Sequence, residues 1–287
     1  IRETPPEERM ALLPFGVARL DSVLGGGAPP GNSVLVAGES GAGAREFGYT
    51  AAAMNALATS DPELFDLYYG ELDDDAERPL EVHYLSLSAS EGYVERELRY
   101  VMADEIVDAA VDRIQFQDFS EEYFQLSSIP REWYMGEASS LGDLSGGENR
   151  DEVMGAIGEY LSDNAQGSLI VVDSLTELVD AAGGEIEWDD VAMLARGLGK
   201  AAHSWGCLLL AIVNLDTLTD IQYGQLMDAS GGTLEFTWES GGSQRARTMV
   251  VREFRGVLSQ LEAENIVQFE TEIHDGGLDI SDVRKIR

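Results

Sequence analysis

Lysine and cysteine are almost absent from this 287-residue chain. Lys200 and Lys285 are the two lysines, and they stand against 53 acidic residues and a net charge of −34. Cys207 is the single cysteine, and its apolar neighbours predict a small core residue. The chain can therefore form neither an internal disulfide nor a cysteine-based metal cluster.

Long apolar runs are absent as well. No run approaches the ~20 residues that a membrane span requires. The first residues, IRETPPEER, have neither the basic flank nor the apolar core of a signal peptide. We therefore expect a cytoplasmic protein without a membrane span. Its 44% of hydrophobic residues predicts one large α/β domain over residues 1–287.

The negative charge is spread along the chain. Only residues 71–77, ELDDDAE, form a true acidic block. Repulsion within such a chain destabilises the compact state in dilute buffer, but at molar salt the Debye length is about 3 Å and screens it. A surface made for a basic partner would concentrate its charge in blocks. The distribution therefore favours adaptation to a cytoplasm of extreme salinity.

Short apolar runs alternate with helical patterns in most of the chain, which predicts a mainly parallel sheet covered by helices. Residues 187–206 show the clearest helical spacing. After Met227 the apolar residues alternate, which predicts antiparallel edge strands in a C-terminal β extension over 233–287. Loop insertions are predicted for two segments, 59–80 and 136–149. The runs that predict buried strands are 33–38, 82–88, 113–119, 168–175 and 207–215.

A glycine-rich stretch, GESGAGAREF, follows the first of these runs and precedes a helical pattern. This is the strand, turn and helix context of a phosphate-binding Walker A loop. The spacing puts Ala44 where that loop has lysine, and Arg45 where it has serine or threonine. The candidate phosphate-binding residues are Gly38, Glu39, Ser40, Gly41, Ala42, Gly43, Ala44 and Arg45.

Asp173 follows the apolar run at 169–172. An aspartate directly after a buried strand is typical of a Walker B motif, which holds a magnesium ion through water. Asp173 is therefore the candidate metal residue. The three histidines are scattered, and we interpret them as packing or surface residues.

Residues 16–31, GVARLDSVLGGGAPPG, precede the first strand and the loop. Together these segments resemble the KaiC-like branch of the RecA superfamily of P-loop ATPases, from about Leu13 to the end. The strand VREFRG, 251–256, is similar to that family's K-x-R strand, which reaches the neighbouring subunit's phosphates. The acidic, lysine-poor composition and degenerate loop are similar to haloarchaeal transducer-like (HTR-like) members. The resemblance implies a RecA-like fold, ATP or ADP with magnesium, and a role in trans for Arg255.

Three departures from the family's pattern argue against efficient hydrolysis. The loop lacks its lysine and hydroxyl, and Ser88 and Ala89 replace the Glu-Glu pair that activates water. Glu253 replaces the lysine of K-x-R, although Arg255 remains. We therefore expect a regulatory or scaffolding pseudo-ATPase with a protein partner and weak nucleotide or anion binding. No catalytic residue is assigned. The alternative is a slow ATPase in which Arg45 and Arg255 take over the missing roles.

Partners can also be inferred from charge. In a ring, Glu253 would approach the phosphates of the next subunit, and that repulsion predicts a monomer or dimer rather than a hexamer. Residues 215–232, where a RecA-like recombinase would carry DNA-binding loops, contain no Lys or Arg, so we expect no nucleic-acid binding. LSGGE, 144–148, resembles the signature of ABC transporter ATPases. Small loop residues explain it adequately.

Overall fold

A nine-stranded mixed β-sheet forms the centre of the protein, in the order β3-β2-β4-β5-β1-β6-β7-β8-β9. The structure is a computed structural model that describes residues 11–125, 129–134, 151–178, 187–241, 244–255 and 268–283. The strands are β1 Asn32–Gly38, β2 Val82–Ser86, β3 Ile114–Asp118, β4 Leu169–Asp173, β5 Leu208–Asn214, β6 Gly232–Gly241, β7 Gln244–Phe254, β8 Gln268–His274 and β9 Gly277–Val283.

The five strands predicted from apolar runs are confirmed as β1 to β5, and all of them pair in parallel. Alternate residues of β1 enter different cores: Val34 and Val36 belong to one cluster, Leu35 and Ala37 to the other. Because successive strand residues point to opposite faces, the sheet is covered on both sides.

Helices supply the two layers that cover the sheet. The helical pattern at 187–206 is confirmed as α8. The helices are α1 Ala18–Val23, α2 Ala44–Ser60, α3 Pro62–Tyr68, α4 Glu91–Val101, α5 Asp104–Ala110, α6 Ser120–Gln125, α7 Asp151–Asn164, α8 Trp188–Trp205 and α9 Asp220–Ala229.

The C-terminal strands form the predicted antiparallel edge, with one difference. Strand β6 runs parallel to β1, and the antiparallel pairing begins between β6 and β7. Strands β8 and β9 continue it. The side-chain alternation that predicted an edge at β6 identifies a strand correctly, but it carries no information on strand direction.

The loop prediction for 59–80 is wrong in its first half, because α2 extends to Ser60 and α3 follows it. The Asp61 carboxylate accepts a hydrogen bond of 3.0 Å from the Leu64 N–H, with proline at the next position, so the helix start carries its usual signals. Phe65 is buried. The second predicted insertion, 136–149, lies outside the described residues, as does LSGGE.

The glycine-rich leader is held by a buried carboxylate. Asp21 accepts hydrogen bonds from the N–H groups of Phe15 at 2.7 Å and Gly16 at 2.9 Å, and from the Tyr69 hydroxyl at 3.0 Å. Burial raises the pKa of Asp21 to about 7, against the opposing effect of these hydrogen bonds. At Gly27, a Cβ would lie 2.2 Å from the Leu13 carbonyl oxygen, so only glycine fits there. These contacts hold the segment that precedes β1 in place.

Candidate functional site

The glycine-rich loop joins the end of β1 to the start of α2, in the strand, turn and helix order that its sequence predicts. Gly41 and Gly43 have φ values of 73° and 123°, which favour glycine. A cavity of about 190 Å³ lies against the loop. Ala42 is instead buried in the core. The predicted loop residues that line the cavity are Gly38, Glu39, Ser40, Gly41, Gly43, Ala44 and Arg45.

Two residues of β6 and β7 form hydrogen bonds with this loop, through one backbone N–H and two side chains. Glu39 accepts a hydrogen bond of 2.9 Å from the Trp238 N–H, and the Trp238 indole donates to the Ser40 carbonyl at 3.1 Å. Arg247 donates to the Gly41 carbonyl at 3.1 Å, and its guanidinium lies 5.2 Å from the centre of the Trp238 ring. These contacts from β6 and β7 hold the loop conformation.

One loop N–H group already contacts an anion. The Ser40 N–H donates a hydrogen bond of 2.9 Å to the Asp216 carboxylate. Hydrogen bonds from the Ser40 side chain and from this N–H lower the pKa of Asp216. The first turn of α2 also lines the cavity, and the N–H groups of a first turn have no intrahelical acceptor. Both features are typical of a helix N-terminus, whose N–H groups favour a negative charge.

Arg45 and Asp173 form the central contact of the site. The Arg45 Nε lies 2.9 Å from Asp173 Oδ2, and its Nη2 lies 2.9 Å from Oδ1. The Tyr84 hydroxyl donates to Oδ2 at 2.7 Å. Arg45 also lies 3.4 Å from Glu177. Both Asp173 oxygens therefore accept hydrogen bonds from the protein.

Burial and charge explain how this contact is held. The Asp173 side chain is 6% exposed, and that of Arg45 is 49% exposed. Burial opposes the charge on Arg45, but the Asp173 carboxylate raises the pKa of Arg45 above its usual range. Burial, and then the same carboxylate, raise the pKa of Tyr84 well above its usual range. Arg45 is therefore protonated at neutral pH, and Tyr84 is a neutral donor.

A magnesium ion at Asp173 does not fit this arrangement. Magnesium requires near-octahedral oxygen ligands, whereas Asp173 is surrounded by the guanidinium and phenol donors of Arg45 and Tyr84. The guanidinium of Arg45 contacts both oxygens of this carboxylate. Within the described ranges, no group of three or more His, Cys, Asp or Glu side chains is placed to hold a metal ion.

A second cavity, of about 350 Å³, is lined by both Arg45 and Asp173. Ser88 and Ala89, which stand where the family has its glutamates, line this cavity. Asp118 and Glu177 also line it, and sequence reasoning missed both carboxylates. Asp118 ends β3, and the ends of parallel strands meet at one edge of the sheet, so its position carried a usable signal.

Arg255 lies far from the loop of its own chain. It follows β7, and its N–H donates a hydrogen bond to the Gly231 carbonyl. This contact lies near the start of β1, whereas the loop follows the end of β1. Its guanidinium donates to the Asp228 carbonyl at 3.2 Å and lies 3.9 Å from Glu253. Within one chain, the structure does not bring Arg255 together with the other predicted site residues.

No family model and no curated protein matches the sequence. Among solved structures, the chain is similar to the KaiC-like protein PH0186 from the hyperthermophilic archaeon Pyrococcus horikoshii OT3, with a TM-score of 0.62. The match covers 94% of this chain and 98% of that one, at 16% sequence identity. This chain has a KaiC-like, RecA-type fold.

The KaiC-like fold agrees with the predicted α/β class, with its mainly parallel sheet and antiparallel edge strands. At 16% identity the similarity concerns the fold and carries no activity. In the described part of the chain, none of the helices is long and apolar enough to span a bilayer.

Proposed function

We propose that this protein is a KaiC-like regulatory or scaffolding protein that has lost efficient ATP hydrolysis and keeps weak nucleotide or anion binding at its degenerate loop. The single observation that carries the proposal is the ion pair between Arg45 and Asp173. It places a side-chain cation on the carboxylate that would otherwise hold magnesium. A nucleotide bound at this loop would therefore be bound without a metal ion on Asp173.

Two further losses support the absence of turnover. Ala44 supplies no charge to the β- and γ-phosphates, and Ser88 and Ala89 supply no general base. Of the two nearby carboxylates, Glu177 lies 3.4 Å from the Arg45 guanidinium. Because a base and a charge-stabilising group each contribute orders of magnitude, their joint loss leaves little hydrolysis.

Weak binding rests on the backbone. A helix N-terminus and the N–H groups of a glycine-rich loop bind phosphate without any lysine. The missing lysine removes a charge-assisted contact of about 1.5–3 kcal/mol, so a typical micromolar affinity falls toward roughly 0.1 mM. Asp216 further weakens anion binding, because a phosphate must displace its carboxylate from the Ser40 N–H.

A slow ATPase is the second candidate. Two observations favour it: half of the Arg45 side chain is exposed, and Asp118 lines the cavity beside Ser88 and Ala89. In a slow ATPase, Arg45 would turn toward a bound phosphate, and Arg255 would contact the nucleotide of the next subunit. Magnesium would then have access to Asp173.

Phosphate release in molar KCl, with and without magnesium, separates the two candidates. For the pseudo-ATPase we expect no magnesium-dependent release above background, and equal ATP affinity in magnesium and in EDTA. Asp173→Asn is the diagnostic variant, and Asp112→Asn, at an exposed position, is its matched control. Magnesium-dependent release that Asp173→Asn abolishes and Asp112→Asn leaves intact would establish the slow ATPase and overturn our proposal.

The composition supports the wider setting of this proposal. Its acidic, lysine-poor surface suits a protein of the haloarchaeal, HTR-like kind, working in a salt-rich cytoplasm. A regulatory role requires a protein partner. A pull-down from a halophile lysate at molar KCl, compared with a lysate incubated with a control acidic protein, tests for it. Retention of the same proteins by both baits would argue against a dedicated partner.

A further inference from the structure

A third cavity, of about 630 Å³, lies where β1 begins, at the end of this strand opposite to the glycine-rich loop. Its walls come from three elements. The residues before and at the start of β1 form one wall, one face of α8 forms the second, and the segment from the end of α9 together with the end of β7 forms the third. This cavity is therefore separate from the cavity at the glycine-rich loop.

The charge of this cavity is opposite to that of the protein. Arg196, Lys200 and His203 line it from α8, and Arg255 lines it from the end of β7. Asp228 is the one acidic residue among its lining residues in the described part of the chain. In a chain with 53 acidic and 19 basic residues, one cavity thus gathers three Lys or Arg side chains and a histidine.

These side chains are exposed and share one helix face. Arg196 and Lys200 are four residues apart, and His203 follows at three, which places them along one side of α8 over roughly 10 Å. Among the residues that the structure describes, Arg196 and Lys200 have no carboxylate within ion-pair distance. Their charges are therefore available to a ligand.

Glycines bring the walls of this cavity together. A Cβ on Gly31, whose φ is 80°, would lie 2.9 Å from the Cα of His203. A Cβ on Gly199 would lie 3.0 Å from the Ala229 carbonyl oxygen. Larger residues at these two positions would push α8 away from the start of β1 and the end of α9. The close packing keeps the cations of α8 and Arg255 around one space.

We infer that this cavity binds a small molecule with two or more phosphate groups. A volume of about 630 Å³ lies within the roughly 300–1,000 Å³ typical of small-molecule sites, which favours a small ligand over an acidic protein segment. The planar guanidinium groups of Arg196 and Arg255 suit bidentate contacts with phosphate. Because the cations extend along α8, a phosphate chain contacts more of them than a single anion does.

Calorimetric titration with inorganic pyrophosphate and tripolyphosphate, at one fixed KCl concentration, tests the proposal. The double variant Arg196→Gln/Lys200→Gln removes two cations from the cavity. Arg96→Gln/Arg113→Gln removes two exposed cations elsewhere, so it controls for net charge. We expect the cavity variant to bind about tenfold more weakly. The control variant should stay within about twofold of the wild type, since exposed charges outside a site contribute little.

Histidine NMR on the unmodified protein identifies the site directly, because the chain has three histidines. On adding pyrophosphate we expect the His203 ring signals to shift, while those of His83 and His274 stay. A glutamate-rich peptide is the other ligand to compare. Stationary His203 signals, equal weakening in both double variants, or tighter binding of the peptide than of pyrophosphate would each overturn the inference. If the double variant does not fold, Lys200→Gln alone and the NMR titration decide.

Discussion

The Arg45 guanidinium, at the second position of α2, lies 2.9 Å from the Asp173 carboxylate at the end of β4. The arginine stands where a Walker A loop has its magnesium-binding hydroxyl, and the aspartate where a Walker B strand ends. In the function that we propose, this arginine takes the position of a metal-binding hydroxyl and its charge replaces that of the metal ion.

Removing Arg45 should destabilise the protein. Arg45→Ala leaves the buried Asp173 carboxylate with the Tyr84 hydroxyl but without a cation. Loss of one partner of a fully buried pair costs about 3–5 kcal/mol, and we expect about 2 kcal/mol here because half of the Arg45 side chain is exposed. Urea unfolding in molar KCl measures the change. Arg96→Ala, on an exposed arginine, is the control, and equal stability of both variants would contradict the prediction.

Restoring the loop should strengthen ATP binding. Ala44→Lys with Arg45→Thr returns the charge on the phosphates and releases Asp173 for magnesium. We expect affinity to rise about tenfold or more, while hydrolysis stays poor because Ser88 and Ala89 provide no base. Titration with labelled ATP at constant high salt compares this variant with the wild type. If the double variant binds no better, the loop does not have phosphate-binding geometry.

Much of this fold could be predicted from local sequence. Each buried strand is an apolar run, and α8 shows helical spacing over its whole length, so the parallel part follows from periodicity. The helix at 62–68 was missed because the neighbouring acidic block dominates the segment, although Asp61 and Pro62 carry the signals of a helix start. The direction of β6 depends on its partner β1, which local alternation does not identify.

The site was less predictable than the fold. The residues of the loop could be named from spacing, but the contacts that determine its behaviour join distant positions. Arg45 and Asp173 are 128 residues apart, and Trp238 and Arg247 reach the loop from about 200 residues away. The position of a residue in a helix determines the direction of its Cβ, but it does not determine which group the end of a long side chain contacts. Only the packed structure shows that Arg45 turns to Asp173.

Salt should stabilise the folded protein strongly. Repulsion among 34 excess negative charges is screened when the Debye length is about 3 Å, as in molar salt, and persists in dilute buffer. We expect a markedly higher melting temperature in molar KCl than at about 50 mM. Calorimetry at several KCl concentrations measures it. Equal melting temperatures across the series would refute adaptation to salt.

The protein should be a monomer or a dimer. In a KaiC-like ring, Glu253 would face the phosphates bound by the next subunit, and like charges disfavour that contact. Light scattering in molar KCl, with and without ATP, gives the molar mass. We expect no more than two chains, and Glu253→Lys provides a variant in which the repulsion is removed. A hexamer of the unmodified protein would defeat this prediction.

The leader should make stability depend on pH through Asp21. Its pKa is raised to about 7 in the folded protein, from 3.8, so the folded state binds the proton more tightly than the unfolded state does. This contribution is full below about pH 4 and is lost as pH rises toward 7. Asp21→Asn cannot ionise, so its unfolding free energy should fall less steeply over this range. Parallel slopes for both proteins would contradict the raised pKa.

Trp238 and Arg247 support the backbone of the loop with hydrogen bonds that do not involve the side chains of Ala44 and Arg45. A loop that needed bound nucleotide to fold would tie the survival of the chain to that ligand. Here β6 and β7 hold the turn, so an exchange at Ala44 or Arg45 leaves these backbone contacts in place, while an exchange at Arg45 also removes the ion pair with Asp173. The side chains of such a loop can therefore change over evolutionary time while its backbone keeps the same support.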